Sequence, residues 1–224
     1  VLADIAPIFV FDGLVDESGI LDYRLTFQPP KGIPLPEEVL ENKNIDLRQS
    51  DKDYWLPAGG EVYRKPACGQ FYLHINIWYR SSPWIEEQEV DNLSQYLDIH
   101  GGVSIFRDGI NVFPAQWGTG TDWLGLSTRH IKRGQKVSYY NMIGNVEIDQ
   151  INNLDLVDLT NRQGLIKNQS YGDLKNLVST IIRTVVEIPF IAKRLRYEEL
   201  TEDIVREPKV LKEYAKQGSE LISS

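Results

Sequence analysis

The sequence predicts an α+β fold, a mixed β-sheet with packed helices, and three observations predict it. Phe71 to Tyr79 alternates with period two, as a strand does. Leu174, Leu177, Val178, Ile181, Ile182, Val185 and Val186 repeat at three- and four-residue spacing, as one face of a helix does. Asp108-Gly109 separates two short apolar runs, the signature of a two-residue hairpin turn. Apolar residues make up 42% of the 224 and charged residues 25%, too apolar a balance for disorder. Three regions are expected: a β-hairpin with a long proline-rich covering or linking loop (1–65), an α+β domain (66–189) and a charged helical tail (190–224).

Element by element, Ile8-Phe9-Val10-Phe11 and the alternating Leu21 to Phe27 suggest a hairpin whose loop starts at Asp12-Gly13 and runs to Gly19. Pro29 to Gly60 holds five prolines, many acids and little periodicity, so it is expected to be a long loop with one helical turn near Glu37–Leu40. In the Phe71–Tyr79 strand, Phe71, Leu73, Ile75, Ile77 and Tyr79 share one face. Tyr72, His74, Asn76 and Trp78 share the other, where His74 and Trp78 are expected to pack across strands. Ser82 as N-cap and Pro83 as first residue predict a helix that Gly101-Gly102 ends. Val103–Arg107 and Ile110–Phe113 form the Asp-Gly hairpin, Pro114 to Ser138 is irregular, and Tyr140 to Ile148 returns to strand. Ser170 and Asp173 read as a short capping box for the apolar-striped helix. The tail from Phe190 carries seven bases and seven acids with sparse apolar residues, a solvated helix that needs a partner surface or a continuation.

Charge and composition exclude several classes. Lys and Arg total 24 against 32 Asp and Glu, a net charge of −8. That argues against a mainly electrostatic grip on nucleic acid or anionic lipid, although a local basic patch remains open. The single Cys68 forbids an intramolecular disulfide and a cysteine-rich metal site, and it fits a reducing, cytoplasmic compartment. The histidines (His74, His100, His130) lack zinc-ligand spacing, and no apolar run is long enough for a membrane span. The chain opens on Val1 and enters strand-like sequence at once, so it is expected to be a piece of a longer protein.

Among candidate chemistries, no phosphate-binding P-loop, dinucleotide fingerprint, nucleophile elbow or zinc-protease motif occurs. Gly118-Thr119-Gly120-Thr121 reads as a phosphate-facing backbone or as a plain flexible loop. Glu147, Asp149, Asp155 and Asp158 read as an Mg²⁺ site or as solvated loop acids. The sharpest feature is Asp158 to Asn168, where Arg162 lies between a strand end and a helix start. A guanidinium there is placed to grip phosphate oxygens in two places; the plainer reading is a surface arginine.

The ordered series Gly101 to Gly109, Asp122-Trp123-Leu124-Gly125-Leu126, Asn141 to Ile148 and Thr160-Asn161-Arg162-Gln163-Gly164-Leu165 resembles the segment after the ATP-binding domain in the GHKL ATPase superfamily, in its heat-shock-chaperone and MORC-like branches. The resemblance runs from about Phe71 to Val186. It implies a transducer-type fold, like the second domain of ribosomal protein S five, for residues 66–189. It also implies that Arg162 contacts the γ-phosphate of an ATP held by a separate N-terminal domain, with Thr160, Asn161 and Gln163 beside it. Lys132, Arg133 and Lys136 are second-choice phosphate contacts. Where the family often has Arg-Glu-Gly this chain has Arg162-Gln163-Gly164, so an acidic role next to the arginine is lost. The family's Asp-x-Gly-x-Gly and its asparagine- and glutamate-bearing helix are absent from this sequence. ATP and Mg²⁺ are therefore expected in the parent protein and not bound tightly here, with a homodimer as the assembly. The alternative is a stand-alone protein-interaction module using the Pro29–Gly60 loop and the tail.

Overall fold

In the computed structural model, which describes residues 5–115, 122–127, 136–160 and 164–202, the first hairpin is formed by β1 (Phe9–Val15) and β2 (Ile20–Phe27). Its turn is shorter than the sequence suggests. Asp12 and Gly13 lie within β1, and the reversal occurs at residues 16–19, where the Asp16 carboxylate accepts from the Ser18 and Ile20 amides. Gly13 is needed inside the strand because a Cβ there would meet the Phe11 ring at 2.7 Å.

The Pro29–Gly60 expectation needs the largest correction. Residues Glu38–Asp46 form a third strand, β3, rather than a helical turn. A 3-10 turn (Leu47–Ser50) and a short helix, α1 (Lys52–Trp55), follow, and Leu47 and Trp55 are buried. β3 is an edge strand, solvated on most sides, so the polar sequence carries no alternation. A bulge opposite Asp22, with Asn44 at φ 59°, bends this edge.

Four further strands complete one mixed sheet: β4 (Phe71–Ile77), β5 (Gly102–Arg107), β6 (Ile110–Phe113) and β7 (Met142–Ile148). The order is β3-β2-β1-β4-β7-β5-β6. All neighbours are antiparallel except β5 and β7. Asp108 and Gly109 have φ of 49° and 79°, as the predicted hairpin turn requires. β1 pairs with β4 along its whole length, so residues before and after 65 share this sheet.

Helices cover the two faces unequally. The long C-terminal helix begins as α3 (Gln169–Ile181), passes through a π turn (Ile182–Val186) and continues over 187–202. Its apolar stripe packs with Phe71, Leu73, Ile75 and Ile77 in the main core. Phe190 stacks on Tyr79 at 4.3 Å, and Tyr197 meets Trp84 at 5.1 Å, which holds the next turns of that helix to the domain. The opposite face carries a smaller cluster of Trp78, Ile85, Leu93 and Leu97. Two of these belong to α2 (Val90–His100). That helix starts later than the Ser82-Pro83 signal suggests: burial of Trp84 in one cluster and Ile85 in the other holds the preceding residues in a turn. The capping expectation at the second helix also changes. Asn168 is the N-cap, its Oδ1 accepting from the Tyr171 amide at 3.0 Å, and Ser170 and Asp173 are buried inside the first turns. Among the described residues no helix is long and apolar enough to cross a membrane.

Candidate functional site

The segment from Asp149 to Asn168 joins the end of β7 to the start of α3, and each part of it is tied down. Asp149 accepts from the Ile151 and Asn152 amides at 2.8 and 2.7 Å, an Asx turn. Those contacts, first the side-chain bond from Asn152, hold its carboxyl below the usual aspartate value. Asn153 is buried. Its amide nitrogen donates to the Cys68 and Gln70 carbonyls and its oxygen accepts from the Asp149 amide. Gly69 allows this approach, because a Cβ there would lie 2.0 Å from the Asn152 carbonyl oxygen.

Arg107, at the end of β5, organises the second half. Its Nε donates to both Asp158 carboxylate oxygens at 3.0 and 3.2 Å, and its terminal nitrogens donate to the Asp149 and Leu156 carbonyls. Beyond Asp158 the chain turns back. Asp158 and Leu165 form an antiparallel bridge, the Leu159 amide donates to the Gly164 carbonyl at 2.9 Å, and the Ile166 amide donates to Val157 at 2.8 Å. Thr160 is exposed at one end of this loop, and Gly164 (φ 144°) is buried at the other against Phe113 and Leu159. Asn161, Arg162 and Gln163 lie outside the described residues. So do Lys132, Arg133 and the Gly118–Thr121 stretch; Lys136 is described and exposed.

The four acids weighed as an Mg²⁺ site do not converge. Asp149 caps its own turn, Asp158 faces Arg107, and Glu147 accepts from Asn145. Among the described residues no group of three His, Cys, Asp or Glu side chains could hold a metal ion.

Two polar clusters were not visible in the sequence. In the first, Asp173, with no exposed side-chain surface, receives a two-pronged Arg64 guanidinium at 2.6 and 2.7 Å. It also accepts from the Ala67 amide, Gln169 and the Tyr54 hydroxyl. Burial alone would raise this carboxyl, but Arg64 and the other donors outweigh it and hold the acid below the ordinary value of 3.8. Arg64 also stacks over Trp55 at 4.4 Å and Tyr54 at 4.9 Å. Cys68 lies beside this cluster, and burial pushes its thiol up to about 12, which makes it unreactive at neutral pH. In the second cluster, on the other face of the sheet, Asp12 accepts from His74 Nδ1 at 2.8 Å and from the Tyr72 hydroxyl. Asn76 closes the row on His74 Nε2 at 2.9 Å. Burial opposes ionisation of Asp12, and the Tyr72 and His74 bonds reverse that to lower it. His74 thus packs across strands, with both ring nitrogens engaged. The register that puts Asp12 opposite His74 was the missing signal, since 62 residues separate them.

No family model, curated protein or solved structure matches this chain.

Proposed function

We propose that this chain is the transducer segment of a GHKL-type ATPase of the heat-shock-chaperone and MORC-like kind. On this reading Arg162 contacts the γ-phosphate of an ATP held, with Mg²⁺, by an N-terminal ATP-binding domain of the same protein. Thr160, Asn161 and Gln163 flank it, and Lys132, Arg133 and Lys136 are the second-choice phosphate contacts. The parent protein works as a cytoplasmic homodimer, and the charged tail from residue 190 meets a protein partner.

The observation that carries this reading is the anchoring of the loop ends. Arg107 clamps Asp158, the Asp158–Leu165 bridge closes the loop, and Asn168 fixes the start of α3 while its side-chain amide donates to the Asp155 carbonyl. An arginine carried between two such fixed points loses little entropy on meeting a phosphate, and a contact made only to the γ-phosphate distinguishes ATP from ADP. Hydrolysis removes that contact and releases the loop.

The test is Arg162→Ala in the parent protein. Turnover of ATP falls by about a hundredfold or more while ADP affinity stays within about twofold. Equal turnover by variant and parent removes the role. A second reading, a protein-interaction module without nucleotide chemistry, is favoured by Ile151 and Leu154, which are 84% and 75% exposed beside this loop. The coding sequence upstream of Val1 separates the two, since only the first requires an ATP-binding domain there.

A further inference from the structure

We infer that the groove between α3 and the loop 122–127 binds a phosphate-bearing small molecule of nucleotide size. Its phosphates would lie on Lys175 and Arg183, and its apolar part against Leu124 and Leu126. This site uses none of the phosphate-contacting residues of the transducer reading, so either can fail without the other.

The groove has a volume of about 520 Å³, within the range of small-molecule sites. One wall is helical: Lys175, Ser179 and Arg183 follow each other at four-residue intervals. Arg183 sits in the π turn, a helix irregularity that recurs at functional sites. The opposite wall is the backbone of Gly125 with Leu124 and Leu126, two side chains that are themselves buried and so form a firm apolar surface. The loop is held in shape from within, because the Asp122 carboxylate accepts from the Leu126 and Ser127 amides at 3.1 and 2.6 Å.

The charges around the groove are unbalanced in one direction. Among the described residues, three acids close to the groove are already engaged. Asp173 is taken by Arg64, Asp122 by its own loop, and Asp51 by the Asn176 amide at 2.8 Å and the Tyr54 backbone. Lys175 has no carboxylate or hydrogen-bond partner among the described residues. Arg183 donates from Nε to the Ser179 carbonyl at 3.2 Å, which leaves the rest of its guanidinium for a ligand. Two uncommitted cations facing an apolar wall in a chain of net charge −8 select an anion with an apolar body. The arginine fork grips a phosphate in two places, the lysine adds a point charge about two helical turns away, and the leucines exclude water from between them.

The experiment titrates the 224-residue chain with tripolyphosphate and, separately, with Mg²⁺-free ATP at fixed ionic strength, following backbone amide shifts by NMR. Both are expected to give saturable shifts concentrated at Gly125, Gly172 and Ser179, with ATP the tighter. The double variant Lys175→Ala/Arg183→Ala weakens both by about tenfold or more. The variant Arg24→Ala/Lys43→Ala, which removes two cations near the far sheet edge, keeps the parent affinity. Equal weakening in the two variants, or no weakening in the first, overturns the site. ATP no tighter than tripolyphosphate overturns the role given to Leu124 and Leu126. Shifts at these amides caused by a glutamate-rich peptide and by neither phosphate compound overturn the ligand class. Matching thermal melts of both variants and the parent keep the comparison free of misfolding.

Discussion

Two arginine–aspartate clusters pin this molecule together, and they are built in opposite ways. At Asp173 the carboxylate is the hub: it is sealed from water and surrounded by donors, while its partner Arg64 keeps 28% of its side chain exposed. At Arg107 the cation is the hub: it is 13% exposed and surrounded by acceptors, while its partner Asp158 keeps 31%. The difference teaches where each interaction does its work. Removing a sealed hub leaves its buried surroundings unsatisfied, so the Asp173 cluster contributes to global stability. Of the Arg107 acceptors, Asp158 and the Asp149 carbonyl lie on a segment that is partly exposed and only Leu156 is buried, so that cluster sets the shape of a loop more than it holds the fold.

The largest expected effect breaks the first cluster. Asp173→Asn removes the charge that Arg64, Tyr54, Gln169 and Ala67 converge on. It lowers the unfolding free energy by about 2–4 kcal/mol, read by chemical denaturation. A change below about 0.5 kcal/mol would mean that the cluster is not the lock between residues 51–67 and α3. The same group sharpens the comparison through pH. Its folded pKa lies below the unfolded value of about 3.8, so its contribution is complete above that value and fades as pH falls through the lower folded one. Asp12, lowered in the same sense, adds to it. The melting temperature of the parent therefore falls steeply below about pH 4, and Asp173→Asn flattens that fall.

Arg107→Ala gives the smaller stability effect, about 1–2 kcal/mol, with a local signature. Hydrogen exchange accelerates at the Leu159 and Ile166 amides, whose bonds close the loop, and the β1 and β4 amides keep their protection. Uniform acceleration across the sheet would place Arg107 in the same class as Asp173 and remove the contrast.

How much of this was legible in the sequence follows the same division. β4 could be read because one face is buried and period-two alternation records it. The α3 stripe and the Asp108-Gly109 turn were equally plain, each set by local chemistry. β3 was hidden: an edge strand with both faces largely in water has no alternation to show, and its own acids together with the prolines that precede it read as loop. The start of α2 was misplaced because burial of Trp84 and Ile85 in separate clusters overrode the local Ser-Pro signal. Asp173 was misread as a cap for a related reason. Its true partners, Arg64 and Tyr54, lie more than a hundred residues away in a stretch without periodicity, and only the folded chain brings them together. Of the residues assigned to the phosphate, Thr160 and Lys136 are exposed, and the others lie outside the described residues. The loop stood out in the sequence because Arg162 lies between a strand end and a helix start, and its anchoring by Arg107 came from the structure.

The central claim is that Arg162 reaches the terminal phosphate of a nucleotide held elsewhere in the parent protein. Its most direct test places a photoreactive amino acid at position 162 of that protein and adds γ-labelled ATP or α-labelled ADP before irradiation. The account predicts label transfer from ATP to residue 162 and none from ADP. Equal labelling by both nucleotides, or labelling by neither while the protein still hydrolyses ATP, would contradict it.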